Sequence, residues 1–398
     1  MKDRVILHCD LNNFFASVSL LSNPTICDMP VAVCGSVEER HGIVLAKNEV
    51  AKGFGVKTAE AVWQARAKCP DLLILSPNYE KYHEYSVAAH KIYERYTDLI
   101  EPFGIDECWL DVTGSNLLFG TGEEIAHRIR KEIKAELGIT VSVGVSFNKV
   151  FAKLGSDMKK PDAVTVISRE NYKEKVWPLP IGDLLFAGKS TVKRLRDCGI
   201  ITVGDIVNCD TKMLERTLGK NGVSLKLYAE GKDDSHVKSM FEETIPKSIG
   251  RSVTPKSDIV NREQVWKIYL TLSEDIASNL RKYGLFAGGL TVHTRTNALA
   301  VKETSKALKS PLNTAYEIAI CGMKLFDECY HFDMPLRSVG LRAINLKKQG
   351  EFASQQDLFG ETDNTDRAQT IENCFEKVRK KFGADSLKRA TTVEKEEE

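Results

Sequence analysis

Three features are missing from this sequence, and each absence excludes a class of protein. It has no run of about 18 apolar residues and no basic N-terminal segment followed by an apolar one, so we expect neither membrane insertion nor secretion. None of its ten cysteines belongs to a C-x-x-C pair, which excludes the usual zinc and redox-dithiol signatures. Cysteines within apolar runs, such as Cys9 and Cys34, indicate buried thiols of a cytosolic protein.

Net charge is also almost absent, because 56 Lys and Arg face 55 Asp and Glu. The distribution is uneven: residues 244–348 carry 16 basic and 9 acidic side chains, whereas residues 349–398 carry 8 and 12. A basic segment beside a nearly neutral one favours a polyanionic partner, although an ordinary solvated surface gives the same count. The 398 residues predict two to four domains.

The first 167 residues alternate between apolar strands and amphipathic helices. Their order is strand, helix, strand, strand, helix, strand, with an insertion after the first helix. This order is typical of a ferredoxin-like arrangement, in which an antiparallel sheet carries helices on one face. The main predicted strands are 4–11, 107–113, 139–146 and 163–167, and the main predicted helices are 78–100, 122–137 and 148–161.

The remaining residues form three further segments. Residues 168–240 contain short helices with glycine turns, and two stretches there share a layout of helix, Gly-Lys turn and helix. A strand-and-helix module is predicted at 245–346, followed by a polar linker. A last amphipathic helix is predicted at 367–382, with an apolar stripe formed by Ile371, Phe375, Val378 and Phe382. The fold class is therefore multidomain α+β.

Three acidic residues stand at the ends of two predicted strands. Asp10 ends the first strand, and the adjacent pair Asp106 and Glu107 begins a later one. Neighbouring strands about 4.8 Å apart bring such carboxylates within reach of one ion. Adjacent residues of a straight strand point to opposite faces, so the pair can share an ion only at a bend, which Pro102 and Gly104 favour.

An all-oxygen ligand set suits Mg²⁺ or Mn²⁺ rather than zinc. Protein-bound Mg²⁺ is usually completed by substrate phosphates, and two such ions can support an in-line phosphoryl transfer. The sequence therefore favours an enzyme that acts on a phosphate-bearing substrate. The alternative is that the pair consists of turn acids and that Asp10 caps the following helix.

Five segments, in order over about residues 1–346, resemble the Y-family of DNA polymerases, particularly its DNA polymerase IV (DinB-like) branch. They are ILHCDLNNFFASV, AKGFGVKT, GIDECWLDVTG, VSVGVSFNKVFAKLGSDMKKPD and KSIGRSVTP. The resemblance implies a right-hand polymerase with a ferredoxin-like palm, small fingers and thumb, and an α/β little finger. The implied domains are palm 1–20 and 76–167, fingers 21–75, helix-hairpin-helix-like thumb 168–240, little finger 245–346 and tail 349–398.

The resemblance also implies the metal ligands. Asp10, Asp106 and Glu107 match the family's catalytic carboxylates, and the backbone carbonyl of Leu11 matches a further ligand. Together they would hold two Mg²⁺ ions, with Mn²⁺ as a substitute.

The resemblance places five residues in the nucleotide-binding site, namely Leu11, Phe14, Phe15, Lys52 and Lys160. Phe15 matches the aromatic steric gate that excludes a 2′-hydroxyl. Phe14 lies in the same nucleotide-binding segment, but one of the two rings must face the core and we predict that it is Phe14. Lys52 and Lys160 match basic contacts to the incoming triphosphate.

The basic residues implied to contact DNA lie in the thumb and the little finger. The two Gly-Lys turns resemble helix-hairpin-helix units, which bind phosphates through backbone N–H groups and helix N-termini. The implied DNA contacts are Lys189, Lys220, Lys247, Arg251, Lys256 and Arg342.

The chain departs from the family pattern at three places. Asn48 or Glu49 stands where the family often has an aromatic triphosphate contact. Gly104 stands before the acid pair where the family usually has Ser, and Asn12 replaces a common acid. The identity of the triphosphate contacts on the loop before Lys52 is therefore open.

The sequence QQDLF at 355–359 resembles the Q-x-[SD]-L-F peptide that binds the sliding clamp. Its implied contact residues are Gln355, Asp357, Leu358 and Phe359. An apolar pair in a polar linker is consistent with a docking role.

The function that follows from the resemblance is template-directed, low-fidelity DNA synthesis of the translesion type. Its substrates are primer–template DNA and dNTPs, and we expect a cytoplasmic monomer without a membrane partner. The alternatives are a UmuC-like polymerase subunit that needs accessory proteins, a nucleotidyl-cyclase-like enzyme, and a non-catalytic DNA-binding or clamp-associated protein.

Overall fold

The computed structural model describes residues 4–36, 40, 42–242, 245–351, 362–383 and 386–387. The chain divides into two compact units, Met1–Ser36 with Gly42–Glu242 and Val37–His41 with Glu243–Glu398. None of the helices in the described part has both the length and the apolar character needed to cross a lipid bilayer.

The first unit contains eight named strands in its described residues. They are β1 Ile6–Leu11, β2 Val31–Cys34, β3 Val44–Lys47, β4 Leu73–Leu75, β5 Ile100–Pro102, β6 Glu107–Asp111, β7 Val141–Ser146 and β8 Val164–Ile167. Its α-helices are α1 Phe14–Leu21, α2 Glu49–Gly53, α3 Val62–Lys68, α4 Tyr79–Tyr93, α5 Asn116–Phe119, α6 Gly122–Glu132, α7 Lys149–Met158, α8 Tyr172–Val176, α9 Lys189–Asp197, α10 Val203–Asn208, α11 Thr211–Leu218 and α12 Lys220–Ala229.

A five-stranded sheet in the order β5-β6-β1-β7-β8 forms the centre of this unit. All six residues of β1 are buried, and this strand is antiparallel to both β6 and β7. The predicted adjacency of the first strand and the strand after the acid pair is thus observed. The sheet is not wholly antiparallel, because β7 and β8 run parallel and are connected through α7.

Helices cover both faces of this sheet, whereas the sequence predicted helices on one face. Residues of α1, α4 and α6 share one core with alternate residues of β1 and β6, such as Cys9 and Leu110. On the other face, α7 packs through Ala152 against Ile6 and Trp109. The glycine in β7 explains this close packing: a Cβ atom at Gly144 would lie 1.9 Å from the carbonyl oxygen of Ala152.

The helix predicted at 78–100 ends early, at Tyr93. The following residues return to the sheet, where Ile100 is buried and β5 pairs with β6 as a hairpin. Burial of Ile100 in an edge strand therefore replaces the last two predicted helical turns. Tyr82, Ala89, Ile92 and Tyr96 are buried in the core that this segment shares with the sheet.

Two smaller modules complete the first unit. Strands β3, β2 and β4 form a three-stranded sheet whose core includes residues of α2 and α3. Helices α8 to α12 share a further core with Phe151 and Leu154 of α7. Between α11 and α12, the exposed Gly219 has φ +64°, a conformation that favours glycine.

The second unit is a four-stranded antiparallel sheet in the order β11-β10-β12-β9, with β13 paired to β10. Helices α13 and α14 share a core with its strands, and no helix among the described residues of this unit packs on the opposite face, which is called the open face below. Its elements are β9 Ile249–Val253, α13 Arg262–Lys282, β10 Leu285–Thr296, β11 Val301–Leu312, α14 Ala315–Cys329, β12 Leu336–Ile344, β13 Lys347–Lys348 and α15 Thr362–Phe382.

Helix α15 contacts α13 and α14 through charged residues, and its predicted apolar stripe is divided, because Phe375 and Val378 are half-buried. Ile371 and Phe382 of that stripe are exposed. Arg281 of α13 pairs with Glu372 and Glu376 of α15, and Glu372 also accepts a hydrogen bond of 2.6 Å from the first backbone N–H of α14. Arg281 and Glu372 are 11% and 8% exposed, so this is a buried ion pair.

Candidate active site

Two of the three acids stand directly opposite each other across the β1–β6 pair. Asp10 is paired with Glu107, so both side chains point to the face of the sheet that α7 covers. The backbone hydrogen bond beside this pair runs from Leu11 N–H to Asp106 O at 3.0 Å. Asp10 and Glu107 are therefore a non-hydrogen-bonded pair of the antiparallel ladder. In such pairs the side chains come closest together.

The third acid lies in the hairpin turn that the sequence predicted. The N–H groups of Phe103 and Gly104 both donate to the carbonyl oxygen of Glu107, at 2.9 and 3.3 Å, so the chain reverses between β5 and β6. A Cβ atom at Gly104 would lie 3.4 Å from Oδ1 of Asp106, which is an ordinary contact. The fold therefore does not require a glycine at this position for steric reasons.

Two lysines of the α7 segment reach the carboxylates. Lys153 Nζ lies 3.1 Å from Asp10 and 3.0 Å from Glu107. Lys160 Nζ lies 2.7 Å from Asp10, and both lysines also contact Asp157. The predicted Lys160 is thus brought to the acids. The sequence reasoning missed Lys153 and Asp157, although the spacing of 153 and 157 places both on one side of a helix.

Burial and mutual repulsion make the charged form of these carboxyl groups unfavourable. Burial raises the pKa of Glu107 to about 7, with repulsion from Asp10 adding to it and Lys153 opposing it. Burial and then Asp10 also raise the pKa of Asp106. A divalent cation would relieve this repulsion, and the donors are all oxygen atoms, so the residues fit a Mg²⁺-type ion.

In the observed arrangement, the ammonium groups of Lys153 and Lys160 offset the negative charge of the acids. In the described part of the chain, no three His, Cys, Asp or Glu side chains are already arranged to hold a metal ion. Lys153 lies between Asp10 and Glu107 in this structure.

The two phenylalanines separate as predicted. Phe14 is 3% exposed and belongs to the core, so its side chain is not available to a nucleotide. Phe15 is half-buried and stacks on Tyr82 with ring centroids 4.1 Å apart and an interplanar angle of 9°. Tyr79 packs edge-on against Phe15 at 6.0 Å. The second ring is therefore held rigidly near the start of α1.

The loop before Lys52 shows which of its residues are committed to the fold. The Asn48 side chain accepts from the N–H groups of Val31 and Ala51 and donates to Met29 O, so its oxygen and one of its two N–H groups are committed to the fold. Glu49 accepts from Asn13 at 2.9 Å and pairs with Lys52 at 3.4 Å. These contacts join α2 to the residues that follow Asp10 and Leu11.

A second lysine of this region was missed by the sequence reasoning. Lys47 at the end of β3 donates to Thr58 Oγ1 at 3.0 Å. Burial lowers its pKa, and the nearby Lys52 lowers it further. Two adjacent ammonium groups that repel each other would be stabilised by an anion. A Lys directly before a helix N-cap gave no recognisable signal in the sequence.

Asn12 is also fully engaged by the fold. Its amide donates to Ser142 Oγ at 2.9 Å and accepts from Thr140 Oγ1 at 3.0 Å and Asp162 N at 2.8 Å. The residue that replaces a common family acid therefore acts as a structural link between β1 and the ends of β7 and β8.

The predicted DNA-contacting residues are exposed but do not share one face. Lys189 and Lys220 are the first residues of α9 and α12, each directly after a glycine. In the second unit, Lys247 and Lys256 flank β9. Arg342 lies on the open sheet face, 3.2 Å from Glu303. Arg251 stands opposite the core residue Leu341, so it points toward the helix layer, 3.9 Å from Asp275 of α13.

Arg251 and Arg342 therefore point to opposite faces of this sheet. Arg295 lies on the same face of the sheet as Arg342. It belongs to the same alternate set of β10 residues as Thr291, which is paired with Arg342. The clamp-binding residues Gln355, Asp357, Leu358 and Phe359 lie outside the described residues.

Comparisons with known proteins agree on one relationship. Residues 9–157 match the impB/mucB/samB family, and residues 246–358 match the impB/mucB/samB family C-terminal domain. The chain is 45% identical to DNA polymerase IV of Acetivibrio thermocellus, with 98% of each chain covered. It is 33% identical to DNA polymerase IV 1 of Bacillus subtilis, over 100% of this chain and 95% of that one. A solved Y-family DNA polymerase chimera has a TM-score of 0.78 at 25% identity, covering 87% of this chain and 100% of the other.

Proposed function

Because the chain belongs to the impB/mucB/samB family, that is, to the Y-family of DNA polymerases, we infer how its residues carry out that family's reaction. It is a DNA-directed DNA polymerase of the translesion type, and it depends on a divalent metal. The match of both family regions and the full-length relatives do not favour a cyclase-like enzyme, a non-catalytic DNA-binding protein or a UmuC-like subunit.

The observation that supports the catalytic assignment is the register of β1 and β6. Asp10 and Glu107 are opposite each other, and the β5–β6 turn holds Asp106 beside them. We assign these three carboxylates and the Leu11 carbonyl to two Mg²⁺ ions, for which Mn²⁺ can substitute. Bound ions of this kind stabilise the charge that develops on the attacking and leaving oxygens of a phosphoryl transfer.

The reaction joins the primer to the incoming nucleotide. The primer 3′-oxygen forms a bond to the α-phosphorus and releases its proton, while the bond from that phosphorus to the β-phosphate oxygen breaks and pyrophosphate leaves. We assign Lys160 and Lys52 to the triphosphate. Lys160 contacts Asp10, and Lys52 pairs with Glu49, which accepts a hydrogen bond from Asn13 shortly after Asp10. Lys47 is added to this set because it lies beside Lys52.

Phe15 is assigned to the sugar. Its ring is fixed by Tyr82 and Tyr79, so a substituent at the 2′ position would meet a surface that does not yield. Phe14 is not assigned to the nucleotide, because its side chain is buried.

The domain roles are proposed on the same basis. We assign the five-stranded sheet to the palm, the three-stranded sheet to the fingers, α8 to α12 to the thumb, and the β9–β12 sheet to the little finger. The open sheet face with Arg342 and Arg295, and the N-termini of α9 and α12, are proposed to bind DNA phosphates.

Three further proposals concern partners and location. The 355–359 peptide is proposed to bind the sliding clamp, and the polymerase is proposed to be a monomer. We place it in the cytoplasm, because every one of its ten cysteines is free.

Primer extension by the purified full chain tests the assignment. With Mg²⁺, dNTPs and a primed template, we expect templated extension that Asp106→Ala abolishes while DNA binding, measured by fluorescence anisotropy, is kept. Glu123→Gln, at an exposed acid on α6, is the matched control and should extend normally. A cyclic product from NTPs without extension, or full activity of Asp106→Ala, would refute the assignment.

The clamp proposal needs its own comparison. Addition of the clamp should increase the length of products made by the wild type, but not by a chain in which Leu358 and Phe359 are both replaced by Ala. An equal response of both chains would show that the peptide is not the docking site.

A further inference from the structure

A buried histidine next to the acids has no role in the assignment above. His8 is 0% exposed and stands two residues before Asp10 in β1, so both point to the same face. Its Nδ1 lies 2.9 Å from the Ser156 hydroxyl of α7, and its Nε2 lies 3.6 Å from Oε2 of Glu107. No hydrogen-bond partner of Nε2 is found among the described residues.

The position of His8 follows from the sequence of the strand beside it. His8 is paired with Gly144 across β1 and β7. A Cβ atom at position 144 would lie 2.5 Å from the backbone nitrogen of Ser156. Because glycine leaves that space open, α7 comes close enough for the Ser156 hydroxyl to reach the imidazole.

The Ser156 hydroxyl has one proton and two acceptors to choose from. Its Oγ lies 2.7 Å from the carbonyl oxygen of Lys153 and 2.9 Å from His8 Nδ1. If the proton goes to Lys153, Ser156 accepts from Nδ1–H of the neutral ring, and Nε2 turns a lone pair toward Glu107. If the proton goes to Nδ1, Nε2 carries the hydrogen and faces Glu107 as a donor.

A metal-bound Glu107 selects between these two arrangements. A carboxylate that holds a cation is an anion, and an anion beside Nε2 favours the tautomer with hydrogen on that nitrogen. Carboxylates that ligate metals are themselves usually hydrogen-bonded, and those bonds fix their orientation. The present separation of 3.6 Å is longer than a hydrogen bond, so the contact requires Glu107 to turn from Lys153 toward the ring.

We propose that His8, in its Nε2–H form, is a positioning residue that donates to Glu107 and holds its carboxylate in place for the divalent cation, while Ser156 stabilises that tautomer. The inference rests on the proposed role of Glu107 as a ligand. It involves no change in the charge of His8, only the position of one proton on a neutral ring.

Metal binding by the full chain tests the inference without relying on turnover. Binding of Mn²⁺ is measured by the loss of the free-ion EPR signal, in the presence of primer–template DNA and a non-hydrolysable dNTP analogue. His8→Leu removes the donor, whereas His8→Gln keeps an amide donor at about the position of Nε2. Ser146→Ala is the matched control. The buried Ser146 hydroxyl donates to the carbonyl oxygen of Ile167 at 2.8 Å, and this bond lies at the end of β7 that is remote from the acids.

We expect His8→Leu to weaken Mn²⁺ binding about tenfold, His8→Gln to recover most of the loss, and Ser146→Ala to bind like the wild type. DNA binding without metal should be unchanged in all three. Wild-type affinity in His8→Leu, or equal losses in the Leu and Gln variants, would overturn the inference. Glu107→Gln separates the two levels: if it leaves Mn²⁺ affinity unchanged, the proposed metal site itself fails.

A second measurement reads the tautomer in the unmodified chain, and a variant serves only to assign the signal. Ring-¹⁵N-labelled histidine distinguishes the two tautomers by nitrogen chemical shift, and His8 is assigned among the eight histidines by the signal lost in His8→Gln. The metal-loaded complex should show hydrogen on Nε2. Hydrogen on Nδ1 in that complex would refute the proposal.

Discussion

Gly144→Ala is expected to damage the active site from a position that contacts no substrate. The added methyl would lie 1.9 Å from the carbonyl oxygen of Ala152 and 2.9 Å from the carbonyl carbon of Gly155, and both are backbone atoms that cannot rotate away. An ordinary carbon–oxygen separation is about 3.3 Å, so α7 would have to move by roughly 1.4 Å.

The size of the effect follows from what α7 carries. Lys153 and Ser156 would move with the helix, away from Asp10, Glu107 and His8. Overpacking of this kind costs about 1–3 kcal/mol of the free energy of unfolding. A displacement of about 1 Å at reacting groups can cost roughly 100-fold in rate, so we expect kcat/KM for dNTP incorporation to fall by about that factor.

The assay combines single-nucleotide incorporation kinetics with thermal unfolding, and Gly104→Ala is the matched control. That glycine is two residues from Asp106, yet its added methyl would make an ordinary contact at 3.4 Å. We expect Gly104→Ala to stay within about threefold of the wild type, although it is nearer in sequence to the acids. Wild-type rates and stability in Gly144→Ala would refute the close packing of α7 on β7.

Three other expectations can be measured with the same incorporation assay. Lys160→Ala should raise KM for dNTP about tenfold or more, because it removes a charge-assisted contact, while Lys159→Ala at the exposed neighbouring position should not. Phe15→Ala should raise the ratio of ribonucleotide to deoxynucleotide incorporation, whereas Phe14→Ala should instead lower the free energy of unfolding by about 3–5 kcal/mol because its ring is buried. Lys47→Ala should raise KM for dNTP if its ammonium faces the triphosphate, and an unchanged KM would remove it from the binding set.

The adjacency of the acids was predictable because local patterns specified both strands. An apolar run ending in Asp10 and a turn signal before Asp106 fixed where each strand ends. The antiparallel pairing then brought Asp10 opposite Glu107. These inferences needed only strand alternation and turn chemistry, which are properties of short segments.

The contribution of α7 was less predictable because it depends on a contact between distant segments. The spacing of Lys153 and Asp157 shows that they share a side of α7, and Lys160 follows just after the helix ends. The spacing does not show which layer of the protein that side meets. The answer depends on Gly144, whose missing side chain lets the helix cover the face opposite α4 and α6.

Two other differences have similar physical causes. The segment after Tyr93 has helical periodicity, but pairing of β5 with β6 buries Ile100 and takes precedence over local propensity. Arg251 and Arg342 look equivalent in the sequence as basic residues in one segment. The register of β9 on β12 places the two side chains on opposite faces of the sheet. Register depends on the whole sheet and not on a short segment.

The docking of α15 has a practical consequence for experiments on the tail. Glu372 neutralises Arg281 and caps α14, so cutting the chain after residue 351 would remove both acidic partners of Arg281, a side chain that is 11% exposed when α15 is in place. Loss of one member of a buried pair typically costs about 3–5 kcal/mol. A truncated polymerase would then lose DNA synthesis through a weakened second unit, and the defect would be mistaken for lost clamp recruitment. Point substitutions in residues 355–359 avoid that confusion because they leave this helix in the chain.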